Sequence, residues 1–211
     1  MVNCLSAIPS CKRCHLYKDM PEGCHPVPGD GPLTADLMIV GEALGKNEAL
    51  LELPFQGMAG KMLDKMLEES NIDRTTTYIT NVVKCRPTRN NIIGKSNRPP
   101  SNEEIDKCKS WLYNELYVVQ PKVIVTLGKV PTSVLLYKTQ YMKNKTYKLK
   151  DLLQQKFLMN YHNEAEEVKW NSIVVPCYHP SYILGHNRKM LGMSIEILKM
   201  VHNILNDNTL K

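Results

Sequence analysis

The chain has 211 residues, 43% of them hydrophobic and 23% charged, with a formal net charge of +6. That is ordinary globular composition, long enough for one sizeable core, and it favours one domain over two. No window approaches the ~18 uninterrupted apolar residues that cross a bilayer, and Met1-Val-Asn-Cys-Leu-Ser6 lacks a basic region leading into an apolar one, so a soluble intracellular protein is expected.

Residues 1–36 are rich in Cys, Pro and Gly without sustained periodicity, and read as an irregular lead-in pinned by a metal rather than by a core. Leu37 to Gly41 is a buried strand, followed by a loop carrying Glu42, Gly45 and Glu48. Pro54-Phe-Gln-Gly-Met-Ala-Gly60 presents Phe55 among glycines. Met62, Leu63, Met66 and Leu67 then fall at helical spacing, as core packing. Thr77 to Val83 is β-branched and aromatic, a second strand, and Thr88 to Pro100 is a polar loop. Ser101 caps a helix with acids in its first turn that runs to Val119. Lys122 to Leu127 is a third strand, and Gly128 to Leu136 leads into a short helix. Between Lys138 and Lys169 come a basic arm, a helix around Leu149 to Phe157 and an acidic patch, Glu164 to Glu167. Ser172 to Cys177 is a fourth strand, Tyr178 to Lys189 a loop or short helix, and Leu191 to Asn206 a closing amphipathic helix. Strands alternating with helices predict an α/β fold, a three-layer α/β/α sandwich around a mostly parallel four-stranded sheet.

Two basic blocks stand out. Lys84 to Arg98 carries Lys84, Arg86, Arg89, Lys95 and Arg98 with no acid, and Tyr137 to Lys150 carries five lysines. Either block by itself could be a solvated loop; two beside one candidate pocket favour a polyanion such as nucleic acid. The seven cysteines are an odd number, and a disulfide framework is not expected. Cys11-Lys-Arg-Cys14 suggests a metal instead.

Three strand ends carry polar groups: Gly41-Glu42, Asn81, and His179-Pro-Ser181. Together with Gly41-Glu-Ala-Leu-Gly45, residues 54–60, Thr80-Asn-Val-Val-Lys-Cys-Arg-Pro87, Asn97-Arg-Pro-Pro-Ser-Asn-Glu-Glu104, Leu127-Gly128 and Tyr178-His-Pro-Ser181, they give the chain a close resemblance to the iron–sulfur, family-four uracil-DNA glycosylases. That family also occurs as a module beside some phage polymerases. The resemblance covers nearly the whole chain, in order. It implies one glycosylase domain over 1–211, with residues 1–36 as a cluster-binding segment, acting on uracil in single- or double-stranded DNA as a monomer, with a replication protein as a possible partner. It also implies a [4Fe–4S] cluster on Cys11, Cys14, Cys85 and Cys108, zinc being the competing metal for four thiolates. Cys4, Cys24 and Cys177 are bystanders.

Glycosidic cleavage passes through a cationic sugar and a departing uracil anion, so the base must be extruded, read and stabilised, and a water placed. By the resemblance Glu42 and His179 are the catalytic pair: the carboxylate places water, and a neutral imidazole donates to uracil O2. Phe55 stacks on the flipped ring, Asn81 pairs with N3–H and O4, and Gly41 and Ala43 line the pocket. Ser181 contacts phosphate, and Ile183 is the wedge that fills the gap in the duplex. Glu48 is a second candidate carboxylate. The chain departs from the family at Leu44, where Pro is usual, which loosens the turn after Glu42, and at Gln56 and Met58, which alter the pocket rim. A related branch that traps uracil covalently uses a His in the basic loop. None lies between Lys84 and Glu104, where Asn97 takes about that place, so turnover is expected. No motif places a lysine for Schiff-base chemistry, which implies a monofunctional enzyme. A non-catalytic DNA-binding accessory of the same fold and a glycosylase for another base are the alternative functions.

Overall fold

A computed structural model describes residues 2–89, 96–136, 148–162, 168–185 and 188–207. The acidic patch and most of the basic arm lie outside the described residues. The sheet has five strands, in order β2-β1-β3-β5-β4: β1 (Leu37–Ala43), β2 (Thr77–Val83), β3 (Val123–Leu127), β4 (Phe157–His162) and β5 (Val168–Cys177). The first three and β5 pair in parallel; β4 runs antiparallel to β5 at the far edge. The helices are α1 (Lys46–Leu51), α2 (Met58–Glu68), α3 (Asn102–Val119), α4 (Lys129–Leu136), α5 (Pro180–Leu184) and α6 (Arg188–Asn206). None among the described residues is long and apolar enough to cross a membrane.

Two apolar clusters cover the two faces of the sheet, as a parallel sheet buried on both sides requires. One gathers Met38, Val40, Tyr78 and Val82 with Leu112 and Leu116 of α3. The other gathers Ile39, Ile79 and Val125 with Leu63 and Met66 of α2 and Leu198 and Val201 of α6. Residues alternating along β1 thus feed opposite layers.

Three expectations are corrected. The sheet has a fifth strand because Phe157 to His162, which begins where the expected helix from Leu149 ends, alternates exposed residues with less exposed ones; only Leu149–Asp151 of that helix is helical, as a 3-10 turn. The first strand continues through Glu42 and Ala43, with Ala43 in register with Val83. The N-terminal segment, expected to be pinned by a metal rather than by a core, packs Ile8, Leu16, Met20 and Val27 into the first cluster.

The cap of α3 is as expected. Ser101 Oγ accepts the Glu104 N–H and the Glu104 carboxylate accepts the Ser101 N–H, a complete capping box. Glu104 also receives both terminal nitrogens of Arg98, at 2.8 and 2.6 Å, so the helix start holds the loop that precedes it. Ser101→Ala should lower stability by about 1 kcal/mol, read as a lower denaturant midpoint at unchanged slope.

Candidate active site and cysteine centre

The carboxyl ends of β1, β2 and β5 open into a cleft of ≈ 930 Å³ lined by Glu42, Ala43, Phe55, Asn81, His179 and Ser181, among others. This is where open α/β sheets bind ligands. Parallel pairing puts Gly41 opposite Asn81. A side chain on Gly41 would collide with Asn81 Oδ1 and come within 2.6 Å of Phe55 Cζ; glycine lets the amide and the ring converge. Phe55 itself has φ +55°, a left-handed conformation unfavourable for a bulky residue. Its carbonyl sits where a Gly60 side chain would go. The ring lies 6.0 Å from the His179 ring, tilted by 33°.

Asn81 is 4% exposed and its Oδ1 has no hydrogen-bond partner among the described residues. A buried polar atom without a partner is costly and rare; here it faces a cleft where a ligand donor can complete it. Glu42 is half-buried, and burial alone pushes its carboxyl above the usual range. His179 caps α5. The Ser181 N–H points at its Nδ1 at 3.2 Å and the Ser181 hydroxyl lies 2.7 Å from the same atom. An N–H aimed at Nδ1 makes that atom an acceptor, so the neutral ring carries its proton on Nε2. Desolvation drives the imidazole down to about 4, against a smaller upward pull from Glu48. The ring is therefore a neutral donor throughout the neutral pH range.

Several expected roles change. Glu48 is 8% exposed and accepts the Gln56 and Gly57 N–H groups at 3.0 and 2.8 Å; it ties the Phe55 loop to α1 rather than activating water. Gln56 turns its amide onto the Pro54 carbonyl, away from the rim, whereas Met58 is on the rim and 66% exposed. The Ser181 hydroxyl orients His179 and is not free to donate to phosphate. Ile183 is 6% exposed in the second core cluster, and its neighbours Tyr182 and Leu184 are the outward side chains; a helix turns i±1 residues away from a buried one. Leu44 does not loosen its turn: it is buried, and its N–H bonds the Cys85 carbonyl at 3.3 Å.

Two cations of the first basic block are internal and Arg89 is exposed. Lys84 and Arg86 are buried, Arg86 Nε donates to Asn97 Oδ1 at 2.8 Å, and Arg98 is engaged with Glu104. Asn97 does reach the cleft. The exposed cations at the cleft come from elsewhere: Lys46, Lys129, Lys148 and Lys150.

Cys11, Cys14, Cys85 and Cys108 line a second, small cavity, so residues from the N-terminal segment, the end of β2 and α3 converge as expected. Among the described residues no three metal-binding groups stand in ligating arrangement; the sulfurs share a cavity without closing on a centre. Burial, reinforced by the other cysteines, raises Cys85, and Cys108 is pushed up to about 11. Cys85 and Cys108 are buried and Cys11 and Cys14 half-buried; as thiolates the four would need a cation beside them, and an all-sulfur donor set suits zinc or an iron–sulfur cluster. The Trp111 Nε1–H donates to Cys11 Sγ at 3.1 Å and the Lys84 N–H to Cys108 Sγ at 3.3 Å, contacts of the kind that orient metal-bound sulfur. Cys177 is buried in the other cluster, apart from this group.

The fold and cleft define an α/β protein whose strand ends gather a phenyl ring, an amide and an imidazole around one cleft. Residues 28–203 match the family model described as Uracil DNA glycosylase superfamily. Similar proteins include a Type-4 uracil-DNA glycosylase of Sulfurisphaera tokodaii, 36% identical over 83% of this chain and 71% of that protein. One from Archaeoglobus fulgidus is 43% identical over 58% of this chain and 56% of its own length. One from Thermotoga maritima is 31% identical over 87% and 83%. The chain belongs to the uracil-DNA glycosylase superfamily, within its type-4 family.

Because His179 is depressed in the folded protein, the unfolded chain binds more protons between pH 6.5 and about 4. Its contribution to stability is whole above about 6.5 and is lost as pH falls to about 4. NMR titration of the His179 ring should give a midpoint near 4, and uracil release should show no acid limb near pH 6.5, the ordinary imidazole position.

Proposed function

We propose that this chain hydrolyses the N-glycosidic bond of uracil in DNA after flipping the nucleotide, leaving an abasic site without cutting the strand. The observation that carries this is the buried Asn81 Oδ1, without a partner among the described residues, in one cleft with Phe55 and the His179 ring. Held with Oδ1 toward N3 and Nδ2 toward position 4, the amide matches uracil N3–H and O4 and mismatches cytosine, whose N3 accepts and whose N4 donates; flipped, it would match cytosine, so the reading requires that orientation. Phe55 stacks on the flipped ring.

As the C1′–N1 bond breaks, electrons pass to the base and negative charge collects on O2, where the His179 Nε2–H donates. A neutral donor stabilises that anion without itself being deprotonated. Glu42 holds the attacking water and offsets the cationic sugar. Its raised pKa makes it the better proton acceptor once ionised. The water oxygen bonds C1′, its proton goes to Glu42, and uracil leaves as the anion. Tyr182, exposed at the cleft, and Leu184, exposed two residues on, replace Ile183 as the side chains that enter the gap in the stack. Lys148 and Lys150 grip phosphate.

Cys11, Cys14, Cys85 and Cys108 hold a [4Fe–4S] cluster that fastens residues 1–36 to β2 and α3; the group is structural and takes no part in the reaction. The whole chain acts as one glycosylase unit, a reading supported by N-terminal side chains in the common core. It acts as a monomer, in whichever compartment holds the DNA.

A uracil-containing oligonucleotide tests the reading. Wild-type protein should leave alkali-labile sites at uracil and none at cytosine, and Glu42→Gln or His179→Ala should cut kcat by about 100-fold or more. Absence of such sites with folded, brown protein defeats the proposal, and colourless protein with one zinc replaces the cluster. Lys148→Ala with Lys150→Ala should leave kcat unchanged and flatten the salt dependence of binding by about 0.7 to 0.9 per lost contact.

A further inference from the structure

β2 lies at the edge of the sheet. On its open side Ile79 exchanges two hydrogen bonds with Asp30, at 2.8 and 2.9 Å. Asn81, two residues on, faces the same way, so its carbonyl points off the edge. What meets it there is not another strand but the Lys84 ammonium, at 2.8 Å. The same nitrogen donates to Thr80 Oγ1 at 2.6 Å and to Glu115 Oε2 at 2.5 Å. An ammonium has three donors, and each has an acceptor here. Glu115 also takes the Thr80 hydroxyl and the Gly29 N–H, both at 2.7 Å. Lys84 and Glu115 are 1% and 0% exposed.

A buried ion pair is a poor way to gain stability, because apolar residues of equal volume do as well or better. A fully satisfied network instead fixes one arrangement of the groups it joins. Here those groups are the backbone of the residue whose amide faces the cleft, the helix that carries Cys108, and, through the Lys84 N–H to Cys108 Sγ, the cysteine cavity. We infer that Lys84 is a positioning residue for Asn81: its ammonium, anchored by Glu115, pins the Asn81 carbonyl and thereby holds the side-chain amide in register with the uracil edge. The inference rests on the assignment of Asn81 as the uracil-reading group.

The test is a double-mutant cycle between this network and Asn81. Lys84→Met with Glu115→Leu removes both charges together, so that neither is left buried and unpaired. Circular dichroism and visible absorption check the fold and the cysteine centre. Two quantities are read: kcat/KM on uracil DNA, and Kd for DNA carrying 2′-fluoro-deoxyuridine, whose glycosidic bond resists hydrolysis. The pair should lower kcat/KM and weaken analogue binding by tenfold or more, since misplacement by about 1 Å can cost up to 100-fold. Added to Asn81→Ala, the same changes should cost less than twofold. A tenfold loss in both backgrounds, or full activity in the folded pair variant, overturns the inference. If the apolar pair does not fold, Lys84→Gln with Glu115→Gln is judged by the same criteria. Wild-type activity in Asn81→Ala alone defeats the reading of Asn81, and the inference with it.

Discussion

The cleft depends on one close approach. Gly41 and Asn81 stand side by side in parallel strands, and Phe55 crosses above them from a loop whose backbone is in the left-handed region. With a side chain at Gly41 neither the amide nor the ring could keep its place. Much of the surrounding structure maintains that approach. Glu48 takes two N–H groups of the Phe55 loop, Gly60 makes room for the Phe55 carbonyl, and α2 packs its apolar side on the sheet beneath. The strain at Phe55 persists because several separate contacts over-determine it.

The polar groups at the strand ends were legible in the sequence, because a parallel sheet fixes where strands stop and the motifs lie at those stops. Glu42, Asn81, Phe55 and His179 all reach one cleft, and the four cysteines, 97 residues apart from first to last in number, reach one cavity. Less legible was which side of the chain each charge takes. Lys84 and Arg86 look like part of a solvated basic run, yet both are buried, because each finds a polar partner in the fold: Glu115 of α3 for one and Asn97, in the same loop, for the other. Charge composition counts ions; it does not say which are paired. Ile183 failed as a wedge for a related reason. A short helix begins at Pro180, and its period turns Ile183 inward and its neighbours out. β4 was missed because an edge strand with one wet face has weak apolar character.

The electrostatics of the cleft depend on a balance. Glu48 is close enough to pull the His179 pKa upward and that of Arg86 likewise. Were that attraction dominant, the imidazole would be charged at neutral pH and would bind a leaving anion as a salt bridge already present in the ground state. Desolvation is the larger influence and keeps the ring neutral. Glu48 meanwhile accepts two backbone N–H groups, which stabilise its carboxylate where it stands. A neutral donor gains most as charge develops on its partner, so its hydrogen bond strengthens from substrate to transition state, and that difference alone accelerates the reaction. The carboxylate that ties down the loop and the neutral imidazole therefore coexist in one cleft, the first engaged by backbone N–H groups and the second held neutral by desolvation.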